Sequence, residues 1–297
     1  MCRFVLYLGE PIALETLLSK PVNSLVHQSF GAEERDPLNA DGFGVAWYAP
    51  EIGPEPAVFR SATPAWSNRN LVHLGRVTRS PCVLAHVRAA SSGVPVSENN
   101  CHPFLWGNFA FMHNGGVGEF QAVHRSLLGV LSDESFREIQ GETDSEHLFA
   151  LFLDCWRARK EGDPLEAMAG ALEETIERML WLLRDKGITA KSEFNLAVSD
   201  GIRAVASRCS TGDVEKMPTL YWHQGRRYVW ENGVCRMVDY DVRSDTVIIA
   251  SEHLSKDPGW EALKPNSMIL VPEDHQVKLR PLRITVDRLG QPARAAL

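Results

Sequence analysis

The order of the expected secondary structure constrains this fold more than any other feature of the chain. Apolar runs typical of strands occupy the first part of the chain, for example "CRFVLYLG" and "GFGVAWYAP". Two long amphipathic segments follow at 143–162 and 163–187, and further strand-like runs begin at residue 193. Because strands and helices do not alternate regularly, a doubly wound parallel fold is disfavoured. We expect an α+β fold in which sheets pack on each other and on helices.

Turn and capping residues predict several boundaries. We expect the first strand to end at Gly9 and Pro11. Asp163 suits the cap of the second long helix, and Pro164 suits its first position. The run "EFNLAVSDGIRAVASR" is typical of a hairpin with Asp200-Gly201 at the turn.

The composition is that of an ordinary globular protein and narrows the possible functions. Of 297 residues, 44% are hydrophobic and 23% are charged, and the net charge is -7. This acidic balance argues against nucleic-acid binding, and no apolar run approaches the roughly 18 residues of a membrane helix. The six cysteines form no CxxC pair, so we expect reduced thiols in a cytoplasmic protein. We assign residues 2–297 to one domain, with a peripheral tail from about residue 284.

Cys2, directly after the initiator methionine, is the first candidate for chemistry. A small residue at position two favours removal of Met1, which would leave Cys2 with an α-amine beside its thiol. An α-amine has a pKa of about 7.7–8.0, so at neutral pH part of it is free to accept the thiol proton. By itself, an "MC" start favours a cysteine that packs in the first strand. Its assignment as a nucleophile therefore depends on partners elsewhere in the chain.

Two apolar strands end in residues that could bind the carboxylate and the oxyanion of a substrate. Arg88, in "AHVRAAS", carries a planar guanidinium that can hold a carboxylate through two hydrogen bonds. A surface arginine or a structural ion pair would explain Arg88 equally well. In "FMHNGG", the side-chain amide of Asn114 and the backbone N–H of Gly115 can form an oxyanion hole. A plain Asn-Gly turn is the commoner explanation, and we interpret His113 as a packed residue.

The stretch "TDSE", residues 143–146, opens the first long helix as a capping box. Thr143 would cap the helix and Glu146 would reach back to it. The helix dipole favours Asp144 in the first turn. The Asp144 carboxylate could in addition pair with the ammonium group of a substrate.

Two polar loops are weaker candidates. "NADGFG", residues 39–44, is too short for a dinucleotide fingerprint and precedes no helix, so we expect no phosphate binding. In "NNCHPF", Cys101 and His102 are adjacent, and adjacent side chains of an extended chain point apart. We interpret this pair as part of a solvated or packed loop rather than as a catalytic dyad.

Taken in order, the stretches "MC", "NADGFG", "HVRAAS", "HNGG" and "TDSE" resemble the class II glutamine amidotransferase domain. The resemblance implies the αββα sandwich of an N-terminal-nucleophile hydrolase, with two mostly antiparallel sheets. Further stretches, among them "TPAWSNRNL", "ENNCHPF" and "ASEHL", are similar to a subgroup of free-standing γ-glutamyl hydrolases. That subgroup includes the fungal glutathione-degrading amidohydrolase, the more similar of the two, and the ergothioneine-pathway γ-glutamyl amidohydrolase. The similarity extends from Cys2 to about Leu282.

The resemblance implies a role for each candidate residue. Cys2 would be the nucleophile, and Asn114-Gly115 would form the oxyanion hole. Arg88 would bind the α-carboxylate of the substrate, with Ser91 at a position where many members have threonine. Asp144 would bind the α-ammonium group.

These roles predict an enzyme that hydrolyses γ-glutamyl amides through a thioester and releases glutamate, without a metal or an organic cofactor. No synthetase domain is expected after residue 187, so water is the expected acyl acceptor. Two alternatives are a glutaminase subunit that supplies ammonia to a separate synthetase and a non-enzymatic γ-glutamyl-binding protein. The sequence leaves open the leaving group, which could be ammonia, cysteinylglycine, a thiol conjugate or a sulfoxide. It also leaves open a separate peptidase or synthetase partner.

Overall fold

The computed structural model describes residues 2–34, 38–91, 93–159, 162–239 and 245–284. Met1 and the tail "QPARAAL" lie outside these ranges. The α-helices are α1 (Glu15–Leu18), α2 (Leu25–Gly31), α3 (Arg69–Val77), α4 (Phe120–Val130), α5 (Asp133–Arg137), α6 (Asp144–Arg157) and α7 (Pro164–Asp185). The strands are β1 (Arg3–Ala13), β2 (Phe43–Trp47), β3 (Ala57–Ser61), β4 (Arg79–Val87), β5 (Phe104–Trp106), β6 (Phe109–Gly116), β7 (Glu193–Ser199), β8 (Ala204–Arg208), β9 (Tyr221–Gly225), β10 (Arg227–Glu231), β11 (Val234–Val238), β12 (Thr246–Ala250), β13 (Glu261–Ala262), β14 (Ser267–Val271) and β15 (Lys278–Pro281).

The strands of the described residues form two large sheets and one hairpin. The first sheet has the order β13-β9-β12-β1-β4-β2-β3, and the second has the order β15-β14-β8-β7-β6-β5. Among the described residues, strands β10 and β11 pair only with each other. Every strand pair in the described residues is antiparallel. The predicted pair of mostly antiparallel sheets is therefore confirmed.

In the described part of the chain, three apolar cores separate four layers. One core lies between the two sheets, and a second packs the second sheet against α4, α6 and α7. The third packs the first sheet against α1–α3 and the β10-β11 hairpin. Strand β1 serves two of these cores, because Phe4 and Leu6 face the other sheet while Val5 and Tyr7 face the helices. This layering is the αββα sandwich that the sequence resemblance implied.

The two long helices begin where the sequence predicted. The Asp163 carboxylate accepts a hydrogen bond from the Leu165 N–H at 3.1 Å and caps α7. Thr143 caps α6 by accepting from the Glu146 N–H at 3.2 Å. The second half of the capping box differs, since the Glu146 carboxylate accepts from the N–H groups of residues 140 and 141 instead of reaching back to Thr143.

The local structure differs from the sequence prediction in two places, one wrong strand end and one helix that was missed. Strand β1 does not end at Gly9 and Pro11 but continues to Ala13, because pairing with β4 resumes at Ile12 after a register shift. A bulge of this kind lets a strand pass a residue that lacks an N–H. Helix α4 was not predicted, although its buried Val123 and Leu127 have helical spacing.

The sheet order brings the candidate residues together. Strand β1 lies in the middle of the first sheet, with β4 on one side and β12 on the other. Arg3 pairs with Val87, so the chain before β1 meets the chain after β4. The end of β6 in the second sheet lies across from this point, because the Asn114 side chain and the Phe4 N–H both donate to the Ser251 Oγ.

Candidate active site

Cys2 immediately precedes β1 and is partly exposed. Its Sγ accepts a hydrogen bond from the Ala89 N–H at 3.4 Å and lies 3.6 Å from the Ala89 carbonyl oxygen. The thiol therefore sits beside the segment that follows β4 and carries Arg88. Tertiary pairing makes this contact, since the two segments are 87 residues apart in sequence.

The charge state of the Cys2 thiol follows from its surroundings. Burial raises the pKa of the thiol above its ordinary value, and Asp144 raises it further. The Ala89 N–H and the positive charge of Arg88 act in the opposite direction and lower this pKa. Because the net shift is upward, the resting thiol is protonated at neutral pH and needs a base to become a nucleophile.

Arg88 is a buried cation that no carboxylate of the described residues neutralises. Its side chain is only 3% exposed, and its Nη1 donates to the Pro95 carbonyl oxygen at 3.2 Å. No ion pair joins Arg88 to an acidic side chain in the ranges that the structure covers. Buried guanidinium groups are rare unless paired. Neither a surface arginine nor a structural ion pair describes this residue, and an anionic ligand can pair with it.

The loop "NADGFG" holds the segment around Arg88. The Asp41 carboxylate accepts from the Ala90 N–H at 2.8 Å, and the Asp41 N–H donates to the Arg88 carbonyl oxygen at 2.9 Å. The Arg88 N–H in turn donates to the Gly42 carbonyl oxygen at 2.8 Å. Gly42 has φ +113°, and a Cβ there would lie 2.5 Å from the Cys101 Sγ. The sequence placed this loop in the family pattern, but its role in holding residues 88–90 required the tertiary structure.

Asn114 lies at the end of β6 and faces β1 across the two sheets. Its Nδ2 donates to the Ser251 Oγ at 3.2 Å, and the same Oγ accepts from the Phe4 N–H at 3.0 Å. The second hydrogen of that amide remains available for a ligand. Gly115 follows, and any Cβ at this position would collide with the Glu193 backbone carbonyl of β7. Ser251, from "ASEHL", had no assigned role before the structure.

Asp144 begins α6 and faces the end of β6. One of its carboxylate oxygens accepts from the Val117 N–H at 2.7 Å, and the other accepts from the Ser145 N–H at 2.8 Å. Its charge acts on the Cys2 thiol, as does that of Arg88. The site therefore combines one thiol with one cation and one anion. The carboxylate and the ammonium group of an α-amino acid need such a cation and such an anion.

His113 is a packed residue, as the sequence indicated. Its Nε2 lies 2.8 Å from the Glu193 carbonyl oxygen and its Nδ1 lies 2.9 Å from the Ser145 Oγ. Both ring nitrogens are thus occupied within the protein. Ser91 differs from the other candidates because it is exposed, and its carbonyl oxygen accepts from the Val94 N–H at 3.1 Å.

Cys101 and His102 are buried and do not form a dyad. The Cys101 Sγ lies 3.4 Å from the Ser97 carbonyl oxygen, and burial raises the pKa of this thiol to about 11. The His102 ring packs against the His86 ring at a tilt of 31° with 4.1 Å between ring centroids, and burial holds the pKa of His102 well below its usual value. The interpretation of this stretch as a packed loop is confirmed.

Comparison with known protein families identifies the chain. The family model described as glutamine amidotransferases class-II matches residues 17–284. The chain belongs to the class II glutamine amidotransferases. The family predicted from the sequence motifs is confirmed, and this protein is an enzyme of the class II glutamine amidotransferase type.

Individual relatives agree with this assignment. A probable glutamine amidotransferase of Saccharomyces cerevisiae, DUG3, is 38% identical over 292 residues, which cover 91% of this chain and 82% of the yeast protein. A γ-glutamyl-hercynylcysteine sulfoxide hydrolase of Mycolicibacterium smegmatis is 25% identical over 93% of this chain and 98% of its own. The structure of a class-II domain protein from Silicibacter pomeroyi has a TM-score of 0.64 and 29% identity, and the match covers 95% of this chain and 99% of that one. The fungal-type relative is the more similar of the two curated relatives, as the motifs indicated.

The described residues contain neither a metal-binding cluster nor a membrane-spanning helix. No group of three or more His, Cys, Asp or Glu side chains in those ranges is arranged to hold a metal ion. None of the helices in the described part of the chain has the length and apolar character needed to cross a membrane.

Proposed function

We propose that this amidotransferase hydrolyses γ-glutamyl amides through a thioester on Cys2, after Met1 has been removed. One observation carries the proposal: Arg88 is a buried guanidinium without a protein carboxylate among the described residues, and it lies next to the residue that contacts the Cys2 thiol. The names of the yeast and mycobacterial relatives, a glutamine amidotransferase and a γ-glutamyl hydrolase, support the same bond as the target.

In this proposal the α-carboxylate and the α-ammonium at the far end of the γ-glutamyl group are each bound by a side chain of opposite charge. Arg88 holds the α-carboxylate through two parallel hydrogen bonds. Asp144 holds the α-ammonium group, and its two protein N–H donors keep the carboxylate in place. Ser91, three residues after Arg88, is proposed as an additional hydroxyl donor to the bound carboxylate. The reacting γ-carbonyl then extends toward Cys2 and Asn114.

The first chemical step forms the thioester. The α-amine of Cys2 takes the thiol proton, which matters because burial makes this thiol reluctant to ionise. The Cys2 Sγ attacks the γ-carbonyl carbon, and the amide of Asn114 and the N–H of Gly115 stabilise the oxyanion. The oxyanion collapses, the C–N bond breaks, and the leaving amine takes the proton from the α-ammonium of Cys2.

The second step returns the enzyme to its resting state. Water gives a proton to the α-amine of Cys2 and attacks the thioester carbonyl, and the same oxyanion hole stabilises the second tetrahedral intermediate. The C–S bond breaks, glutamate leaves, and the thiolate recovers its proton. The acyl side is the same for glutamine, glutathione and a γ-glutamyl-cysteine conjugate, so the proposal specifies a substrate class defined by its γ-glutamyl end.

The experiment combines protein mass and activity. The purified protein is weighed by mass spectrometry and assayed for glutamate release from glutamine, glutathione and γ-glutamyl-p-nitroanilide. We expect the mass to lack Met1 and Cys2→Ala to abolish turnover, while the buried thiol variant Cys101→Ser keeps it. An active preparation that retains Met1, or an active Cys2→Ala variant, would refute the mechanism.

A further inference from the structure

A buried ion pair lies directly behind the nucleophile. The Arg3 Nε lies 2.5 Å from the Glu252 Oε1, and the two side chains are 4% and 1% exposed. Arg3 is the residue after Cys2, and Glu252 follows β12, the strand on the other side of β1 from β4. Burying two charges is unfavourable unless both are well paired, so a gain in stability does not by itself explain why this pair is present.

Arg3 connects this pair to Cys2. Its Nη1 donates to the Cys2 carbonyl oxygen at 3.0 Å. Side chains alternate along β1, and Phe4 faces the second sheet. Arg3 therefore faces the helical layer, behind the strand, while Asn114 lies in front of it. The guanidinium touches the backbone of the nucleophile and lies on the opposite side of the strand from the oxyanion-hole residue.

Glu252 collects further donors around the pair. Its carboxylate accepts from the Glu33 N–H at 2.9 Å, the Glu34 N–H at 3.4 Å and the Asn23 Nδ2 at 3.4 Å. Burial alone would raise the pKa of Glu252, but these donors and Arg3 lower it below its usual value. The carboxylate is thus ionised at neutral pH and is held by the chain that follows α2. Asn23 also donates to the His253 carbonyl oxygen at 2.8 Å, which fixes the backbone beside Glu252.

We propose that Arg3 and Glu252 are positioning residues that set the orientation of Cys2 for catalysis. The Arg3 guanidinium fixes the Cys2 carbonyl, and Glu252 fixes the guanidinium. With the carbonyl fixed, the thiol and the α-amine of Cys2 have few remaining orientations, one of which is set by the Ala89 N–H. This inference rests on the proposed role of Cys2 as nucleophile, and neither Arg3 nor Glu252 touches the substrate.

Two variants test the proposal, and one distant pair provides the control. Glu252→Gln keeps the shape but removes the charge, and Arg3→Lys keeps the charge but cannot bind Glu252 and the Cys2 carbonyl together. The control is Glu173→Gln, which breaks the ion pair between Glu173 of α7 and Arg280 of β15, whose side chains are 8% and 16% exposed. Intact mass first shows that Met1 has been removed from every variant, and thermal melting shows that each is folded.

The readouts separate positioning from folding and from substrate binding. With γ-glutamyl-p-nitroanilide, we expect kcat to fall at least tenfold in Glu252→Gln and Arg3→Lys, with KM within about threefold of the wild type. We also expect iodoacetamide to alkylate Cys2 at least fivefold more slowly, because the α-amine no longer sits where it can take the thiol proton. Glu173→Gln should melt at a lower temperature while keeping kcat and the alkylation rate. If Glu252→Gln does not fold, Arg3→Lys carries the test alone.

Several results would overturn the proposal. Wild-type kcat and alkylation rate in both variants would make the pair purely structural. An equal loss of kcat in Glu173→Gln would assign the effect to general destabilisation, and a rise of KM alone would place Arg3 or Glu252 at the substrate. A wild-type protein that does not hydrolyse γ-glutamyl amides would refute the proposed function instead, and the alkylation rates would still test the positioning of Cys2.

Discussion

Replacing Arg88 by methionine tests the central feature of the proposed site. The methionine keeps much of the apolar stem of the side chain and removes its charge. In most proteins the loss of a buried arginine leaves a buried carboxylate unpaired and costs about 3–5 kcal/mol of stability. Arg88 has no such carboxylate among the described residues, and its side chain donates to a backbone carbonyl at 3.2 Å. We therefore expect Arg88→Met to leave the free energy of unfolding unchanged within about 1 kcal/mol.

The effect on catalysis should instead be large and depend on the substrate. A hydrogen bond to a charged group is worth about 1.5–3 kcal/mol, so the loss of one should reduce kcat/KM by roughly ten- to 150-fold. If Arg88 holds the carboxylate through two hydrogen bonds, loss of both should reduce kcat/KM by an amount at or above the upper end of that range. The reduction should disappear with a substrate that lacks the α-carboxylate, because Arg88 then has nothing to bind.

The assay measures kcat/KM of two proteins on each of two substrates. Wild type and Arg88→Met are compared on γ-glutamyl-p-nitroanilide and on 4-aminobutyryl-p-nitroanilide, which lacks the α-carboxylate. Arg280→Met is the stability control, because Arg280 is paired with Glu173 and its loss should cost about 3–5 kcal/mol in urea unfolding. If Arg88→Met is as unstable as Arg280→Met, or if it loses activity equally on both substrates, the assignment of Arg88 to the α-carboxylate is wrong.

Four further outcomes follow from the geometry. Asn114→Ala should lower kcat by about 10²–10³-fold with little change in KM, measured by steady-state kinetics. Gly115→Ala should destabilise the protein by about 1–3 kcal/mol or more in urea unfolding, because the added Cβ meets the carbonyl of β7. The control is Gly129→Ala in α4, whose Cβ meets no atom within 4 Å and which should be neutral or stabilising in the same measurement. Cys101→Ser should keep full activity, because that thiol is buried and its pKa is raised to about 11. The pKa of Glu252 is lowered in the folded state, so its stabilisation is present above its ordinary pKa of about 4.3 and is lost as the pH falls; urea unfolding of wild type and Glu252→Gln from pH 3 to 7 should show a gap that shrinks toward acid pH.

Local structure was predictable where a single residue type decides it. Asp163 and Pro164 start α7, and Thr143 caps α6, because each satisfies or lacks a backbone donor at the helix start. The strand expectation for β1 failed at Pro11 because pairing of β1 with β4, which joins eight residue pairs, outweighs one missing hydrogen bond and resumes at Ile12 after a register shift. Pairing of this kind involves residues distant in sequence, so no local pattern reports it.

The candidate site likewise has features that the sequence predicted and features that only tertiary contacts set. Cys2, Arg88, Asn114-Gly115 and Asp144 stood out in the sequence because each type has a chemical use, and the order of their motifs named the family. Only the fold showed that Arg88 is buried without a carboxylate partner among the described residues. That observation argues against a structural ion pair and supports the proposal that Arg88 binds the substrate.

Nothing in the sequence pattern marked the residues that support the candidate site as parts of it. Asp41 holds Ala90, Ser251 joins Asn114 to Phe4, and Glu252 holds Arg3. Arg3 and Glu252 are 249 positions apart in the chain. The sequence by itself determined which chemical groups this protein has, where its two longest helices begin and which family it belongs to. The tertiary structure decided which of those groups meet, because antiparallel pairing of β1 with both β4 and β12 brings Ala89 beside the Cys2 thiol and Glu252 beside Arg3.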